Sequence, residues 1–435
     1  MLQKRTYGQF TSRSKVNTGE LSRRFNRICI LDSNAEENQH GHLEQGRIIA
    51  IGAHHELIAK QEPGSLEKLR EFCNKQKSWL FGYIGYDVKN DIEQLHSSNH
   101  DGLQFPALHF FVPRLVICQD ERNTVLHFDE NILTEKEAEE ILSLCFSEKK
   151  ESSAPAVKPE VQARIRREQY FDAVHALKDH IRKGDIYEVN FCQEFFAENA
   201  LIDTAAVYER LNTISSAPFS VYGKFGPYHL MCASPERFLK KTGKRLIAQP
   251  IKGTSKRSPD KKEDERLKKE LSENEKERSE NVMIVDLVRN DLSRIAERGS
   301  VQVDELFGIY SFKQVHQMIS TISCGLKNSI DFTDILKALF PMGSMTGAPK
   351  ISAMKLIEEY ESTKRGLYSG TVGYISPEGD FDFNVVIRSI LYNSDNNYLS
   401  FMAGSAITDK SVPEKEYEEC LLKAKAMFEV LQNTY

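Results

Sequence analysis

The segment Pro250-Ile251-Lys252-Gly253-Thr254 sets one lysine between a residue of fixed φ and a residue of free φ. A lysine in such a turn is ordinarily solvated. Desolvation or nearby positive charge would lower its pKa and make the amine a nucleophile. Carboxylates supply the second chemistry. At 100° per residue, Glu277 and Glu280 share a helix face with Ile284, Leu287, Val288, Asp291 and Ile295. Charge on an apolar stripe is costly unless it is paired, protonated or bound to a cation. An arginine partner is the plain alternative. Near the end of the chain, Glu416 borders the apolar face of Tyr417, Cys420, Ala424, Met427 and Leu431. Glu419 lies one step further round, and a solvated cluster of Glu414, Glu416, Glu418 and Glu419 is the plain alternative. Oxygen donors without clustered Cys or His favour a hard divalent ion, Mg²⁺ first.

Three further segments carry candidate groups. Gly343-Ser344-Met345-Thr346-Gly347-Ala348-Pro349 precedes an expected helix at Lys350, where free backbone N–H groups suit an anion. Arg388 interrupts the apolar run Val385-Val386-Ile387, and its fork matches a carboxylate. His316 reads first as a satisfied strand histidine. Glu236 follows Pro235, which fixes its direction, and a salt bridge to Arg237 is the ordinary reading.

Taken in order, Ser234–Phe238, the lysine pentapeptide, Glu280–Leu292, Gly343–Lys350 and Ala403–Ile407 with Glu416 and Glu419 resemble the chorismate-utilising enzymes. The likeness is strong over residues 165–432 and weak over the first 150. It implies an α+β fold of two stacked, mainly antiparallel sheets flanked by helices. It also implies that Glu280 and Glu419 bind Mg²⁺ directly, with Glu277 and Glu416 supporting it through water. Arg388, Tyr374 and Gly404 would hold the enolpyruvyl carboxylate, with the Thr346-Gly347 loop beside the ring carboxylate. Thr254 and Thr346 would line the pocket, and His316 and Glu236 would serve the leaving 4-hydroxyl as hydrogen-bond or acid–base groups.

Lysine at position 252, where anthranilate-forming relatives usually carry alanine, points to the branch making 4-amino-4-deoxychorismate. There the lysine attacks ring carbon 2, the 4-hydroxyl leaves, and ammonia adds at carbon 4. No lysine lies between Gly184 and Gln193, where water-using relatives place a base. Two positions depart from the pattern: Met342 stands where glycine is usual, and Glu188 where glutamine is usual. No Gly-x-Cys-x-Gly glutaminase elbow is present, so ammonia would come from a separate glutamine amidotransferase subunit or from ammonium salts. Ile30-Leu31-Asp32-Ser33 resembles the motif beside a tryptophan pocket in relatives, where glutamate is more usual than Asp32. Rival readings are an anthranilate-forming large subunit and a non-catalytic chorismate- or tryptophan-binding regulatory subunit.

The elements that must position these groups follow from periodicity. Helices are expected over 135–146, 164–183, 260–296, 334–340, 350–361 and 413–431, the last capped by Ser411 with Glu414. Strands are expected at 28–31, 48–51, 79–87, 108–117, 186–196, 219–223, 228–232, 245–249, 316–326, 368–376, 382–392 and 398–407. The first ~25 residues read as an ordered arm or a frayed end. A β-rich region over 1–147, a linker at 148–160 and a catalytic domain over 161–435 complete the division. With 58 basic and 63 acidic residues the net charge is −5, so no basic field invites nucleic acid. No run approaches the ~20 apolar residues of a membrane span. Eight scattered cysteines and no apolar leader point to a reducing cytoplasm.

Overall fold

The structure, a computed structural model, describes residues 2–8, 10–34, 46–93, 95–148, 158–313 and 315–432. The centre of the expected linker, 149–157, lies outside the described residues.

Two antiparallel layers share one continuous hydrogen-bond network. The long strands Arg47–Ala59 and Leu108–Gln119 pair with each other and serve both layers, with a register shift between Ala53 and His55. Such a bulge bends the pair and turns one layer over the other. From this corner the first layer runs through Arg27–Asp32, Phe219–Phe225, Tyr228–Ser234, Ser389–Asn393 and Tyr398–Ile407 to Glu188–Ala197. The second runs through Leu80–Ile84, Thr371–Ile375, Phe381–Asn384, Arg237–Thr242 and Arg245–Gln249 to Val315–Gly325. Val315–Gly325 also takes Ile251–Lys256 and Gln302–Ser311 as partners.

Alternation sorts the side chains. Cys29, Ala50, Val221 and Leu230 point into the core between the layers, meeting Phe81, Phe110, Leu246 and Phe383. Their neighbours Ile28, Ile30, Ile49, Tyr222 and Met231 point the other way, under Leu21, Leu142, Leu211 and Met427 of four covering helices. A one-residue slip would exchange the two sets, so burial on both faces fixes the register.

Several boundaries differ from the sequence expectation, each for a local reason. Among the described residues of the first 25, the ordered-arm reading holds, with regular elements: Leu2–Tyr7 pairs with Thr124–Asp129, and Thr18–Arg24 is a helix capped by Asn17. The expected 260–296 helix is two helices, Lys261–Glu273 and Glu275–Ser293. Asn274 is extended, and its side chain accepts the Glu277 N–H at 3.1 Å, so it caps a new helix. The last helix begins at Pro413 as expected, but the Ser411 hydroxyl, expected to cap it, accepts the Thr408 N–H at 3.0 Å. Strand 382–392 is interrupted between Asn384 and Ser389. Segments before and after the expected linker interleave in the sheet, through Arg27–Asp32 with Phe219–Phe225 and Leu80–Ile84 with Thr371–Ile375.

Candidate active site

A cavity of about 710 Å³ opens between the Glu275–Ser293 helix, the Ile251–Lys256 strand and the Pro413–Gln432 helix. Lys252, Thr254, Glu236, Glu277, Glu280, Arg388, Gly404 and Glu419 all line it. Elements far apart in sequence therefore bring most of the candidate groups to one wall. Gly253 shows how tightly: its φ of +89° is left-handed, and a Cβ there would sit 3.1 Å from Glu277 Oε2. Glycine lets the lysine turn lie against the acidic helix.

Lys252 is enclosed, its side chain 10% exposed, and its Nζ donates to Glu188 Oε1. Burial alone would lower the amine's pKa, but the carboxylates of Glu188, Glu280 and Glu419 outweigh it and hold the pKa above the ordinary lysine value. This reverses the expected depression: without substrate, Lys252 is an ammonium held by a carboxylate.

The acidic helix carries the opposite imbalance. Glu280 is buried, and its Oε1 has no hydrogen-bond partner. Lys276 Nζ stands 3.7 Å from Glu280 and 4.0 Å from Glu416. Burial, joined by the Glu188 charge, pushes Glu280 up to about 7. Burial, with Glu419 nearby, also raises Glu277. Glu419 goes the other way: burial works to raise it, but Lys423, 2.7 Å away, holds it below its ordinary value. Asp291, on the same stripe, has a close cation in Lys350 at 2.6 Å. For Glu280 the ion-pair partner Lys276 stands further off, at 3.7 Å, beyond hydrogen-bond reach. Among the described residues no three His, Cys, Asp or Glu side chains form a ready-made metal cage. Mg²⁺ needs only one or two carboxylates and keeps several waters, so all-oxygen donors with one orphaned oxygen fit it.

Glu236 is 4% exposed and accepts the Ser344 hydroxyl at 2.7 Å. Burial pushes it up to about 7, against the Ser344 hydrogen bond and the Lys252 charge. The ordinary reading of a bridge to Arg237 fails, because Arg237 is held by Asp382 at 2.9 and 3.0 Å. Glu236 is thus a buried carboxylic acid near neutrality, the state a general acid needs.

Arg388 occupies the strand interruption with φ +53°, a left-handed conformation costly for a side-chain-bearing residue. Burial lowers its pKa. Tyr368, which the sequence reading passed over, lines the cavity close by, with its hydroxyl 3.6 Å from Cys192 Sγ. Asn190, Gln317, Ser344 and Met345 also line it.

Five expected residues do not line the cavity. Tyr374 faces a second cavity of about 270 Å³ with Asp32 and Ser33, and its ring lies 5.6 Å from Trp79 and 5.9 Å from Phe81. His316 alternates away from Gln317 and is buried between Asp264 Oδ1 at 3.1 Å and Ser311 Oγ at 2.8 Å. Thr346 donates its hydroxyl to the Met342 carbonyl at 3.0 Å. Gly347 pairs with Val189, and a Cβ there would strike the Glu188 carbonyl oxygen at 2.1 Å. The loop instead offers Ser344 and Met345 to the cavity. Glu416 stands behind the wall, against Lys276. In the second cavity Asp32 is paired with Arg47 at 2.8 Å.

The model of the chorismate binding enzyme family matches residues 18–429. The chain belongs to that family. Aminodeoxychorismate synthase component 1 of Bacillus subtilis (strain 168) is 32% identical over 361 residues, which cover 81% of this chain and 76% of that protein. Anthranilate synthase component 1 of Thermus thermophilus is 35% identical over 361 residues, with 81% and 77% covered. Both branches of the family are thus represented at similar identity. The crystal structure of anthranilate synthase component I from Streptococcus pneumoniae TIGR4 superposes with a TM-score of 0.78 at 28% identity, covering 88% of this chain and 92% of that one. The mixed α/β architecture with its large antiparallel sheet is therefore the family's.

Proposed function

We propose that this family member converts chorismate and ammonia to 4-amino-4-deoxychorismate, a precursor of p-aminobenzoate in folate biosynthesis, with Mg²⁺ as cofactor. The observation that carries the reading is the Lys252 amine, enclosed in the cavity wall among carboxylates instead of exposed to solvent. Lys252 is the nucleophile toward ring carbon 2, and Glu236 gives its proton to the departing 4-hydroxyl. Ammonia then adds at carbon 4 and the lysine leaves. Arg388 with Tyr368 and the Gly404 backbone holds a substrate carboxylate, and Thr254 and Ser344 complete the wall. Glu280 and Glu419 would hold Mg²⁺, with Glu277 and Glu416 behind them. When bound, the ion neutralises these carboxylates and a substrate carboxylate.

The resemblance to relatives called component 1 supports a separate glutamine amidotransferase as the source of ammonia. Among the described residues no helix is long and apolar enough to cross a membrane. A cytoplasmic location is part of the same proposal. The test is direct: purified chain with chorismate and ammonium chloride, with and without Mg²⁺, and identification of the product. Similarity to the Thermus anthranilate synthase favours a second reading, for which anthranilate plus pyruvate would be the product. No turnover would leave only a binding subunit.

Two outcomes follow from the wall itself. Glu236 donates only while protonated, and that fraction falls as pH rises through about 7. The rate at saturating chorismate and fixed free ammonia should lose this contribution above neutrality, and Glu236→Gln should remove the pH step along with about 100-fold of rate. Arg388→Gly should have opposite effects on folding and binding. Relieving the left-handed arginine and removing a partly buried cation should raise the thermal midpoint. Losing a charge-assisted carboxylate contact should raise KM for chorismate roughly 10- to 100-fold.

A further inference from the structure

The Lys252 partner is the charge-changing departure noted in the sequence, Glu188. It sits in the Glu188–Ala197 strand, 1% exposed, and does not itself line the cavity. Its backbone pairs with Ala348, and Gly347 packs without a Cβ against its carbonyl. One carboxylate oxygen accepts from Lys252 Nζ; the other is buried with no hydrogen-bond partner. Resting on the reading that Lys252 is a nucleophile, we infer that Glu188 is its proton acceptor, a buried positioning residue that takes and returns the ammonium proton.

The alternatives near Lys252 are otherwise occupied. Glu236 must keep its proton for the leaving hydroxyl and is bound by Ser344. Glu280, on the packed helix, and Glu419, on the C-terminal helix, also act on Lys252 by their charge, but they belong to the cation site. Among the described residues, only Glu188 touches the amine and has an unengaged oxygen to carry a proton. The step balances. The proton passes from Nζ to Glu188, and the freed lone pair forms the N–C bond at ring carbon 2. The ring π electrons shift, and the C4–O bond breaks. The oxygen leaves as water with the proton of Glu236. When ammonia adds at carbon 4, the shift reverses and the C2–N bond breaks with its electron pair on Nζ. Glu188 returns its proton to that amine, and the new carbon 4 ammonium returns one to Glu236.

A purely structural Glu188 predicts a different result, because its charge helps keep Lys252 protonated. Removing that charge would then free the amine and leave neutral-pH activity unchanged or higher. The experiment compares the full chain with Glu188→Gln and Glu188→Asp, using chorismate, Mg²⁺ and ammonium adjusted to constant free ammonia. For Glu188→Gln we expect kcat about 100-fold lower at pH 7, KM for chorismate within about twofold, and a rate climbing with pH as hydroxide removes the proton. Glu188→Asp, which keeps a carboxylate at longer reach, should recover part of the rate with the unsubstituted pH shape. Unchanged or raised kcat at pH 7 in Glu188→Gln overturns the inference. So does an Asp variant no better than the Gln variant, or, if Glu188→Gln does not fold, an Asp variant with an altered pH shape. Absence of ammonium-dependent chorismate consumption by the unsubstituted chain would instead remove the reading beneath it.

Discussion

Lys252→Ala is expected to lower aminodeoxychorismate formation by at least about 1,000-fold, with chorismate still bound. Among the described residues lining the cavity, the other lysines are more exposed, Lys276 at 43% and Lys423 at 29% against 10% for Lys252. The substitution should also destabilise the fold. It leaves Glu188 buried and unpaired, a loss usually larger than the worth of the intact pair. Folding and chemistry can be separated. Lys252→Ala with Glu188→Gln should recover much of the lost thermal midpoint and remain inactive, because the double change removes the stranded charge without restoring a nucleophile. Unchanged product formation by Lys252→Ala would remove the amine from the mechanism.

The second large effect is expected at Glu280. Without its charge, the Mg²⁺ concentration needed for half-maximal activity should rise about 100-fold or more, since even supporting residues of a metal site cost 10- to 100-fold. Stability of the metal-free chain should move the other way. Glu280 is pushed up to about 7 in the fold, so it binds its proton more tightly there than in the unfolded chain. Its favourable contribution is present below the ordinary carboxylate range and is lost as pH rises through about 7. At pH 8 the buried charge is unfavourable by up to about 3 kcal/mol, and Glu280→Gln should relieve part of it. A calorimetric midpoint that falls in the metal-free variant at pH 8, or a Mg²⁺ requirement that does not change, would sink this account.

The sequence was most readable where one physical rule acted alone. The short apolar run Ile28–Leu31 was legible as a strand, and the fold puts Ile28 and Ile30 on one face and Cys29 on the other. Helical spacing put Glu277 and Glu280 toward the cavity. It misled where two rules met. The 260–296 pattern is helical throughout, but Asn274 followed by Glu277 carries a cap signal that cuts it. His316 lies between Val315 and Gln317, both of which line the cavity, so strand alternation alone could have turned the histidine away. Tyr374 is on the face of its strand toward Phe81, whereas Tyr368, inside the expected 368–376 strand, precedes the one that forms at Thr371–Ile375, so alternation does not set its direction. The helix Thr204–Ser215 was passed over although Asp203 caps it, and the half-exposed strand Gln302–Ser311 has too little alternation to read. The charge state of Lys252 was beyond reach for a different reason. It depends on which carboxylate the fold brings to its amine, and Glu188 is remote in sequence.

The interleaving of early and late segments governs how this chain is made. The strand containing Gly82 pairs early with Leu108–Gln119 but finds its second neighbour only when Gly373 has been synthesised, and the strand of Cys29, paired early with Arg47–Ala59, likewise needs Gly223 for its other edge. Until then, hairpins emerging first from the ribosome present open edges that can associate with other nascent chains. Assembly with such distant partners is slow, so yield in a cell would be limited by protection of those edges during translation more than by the final free energy.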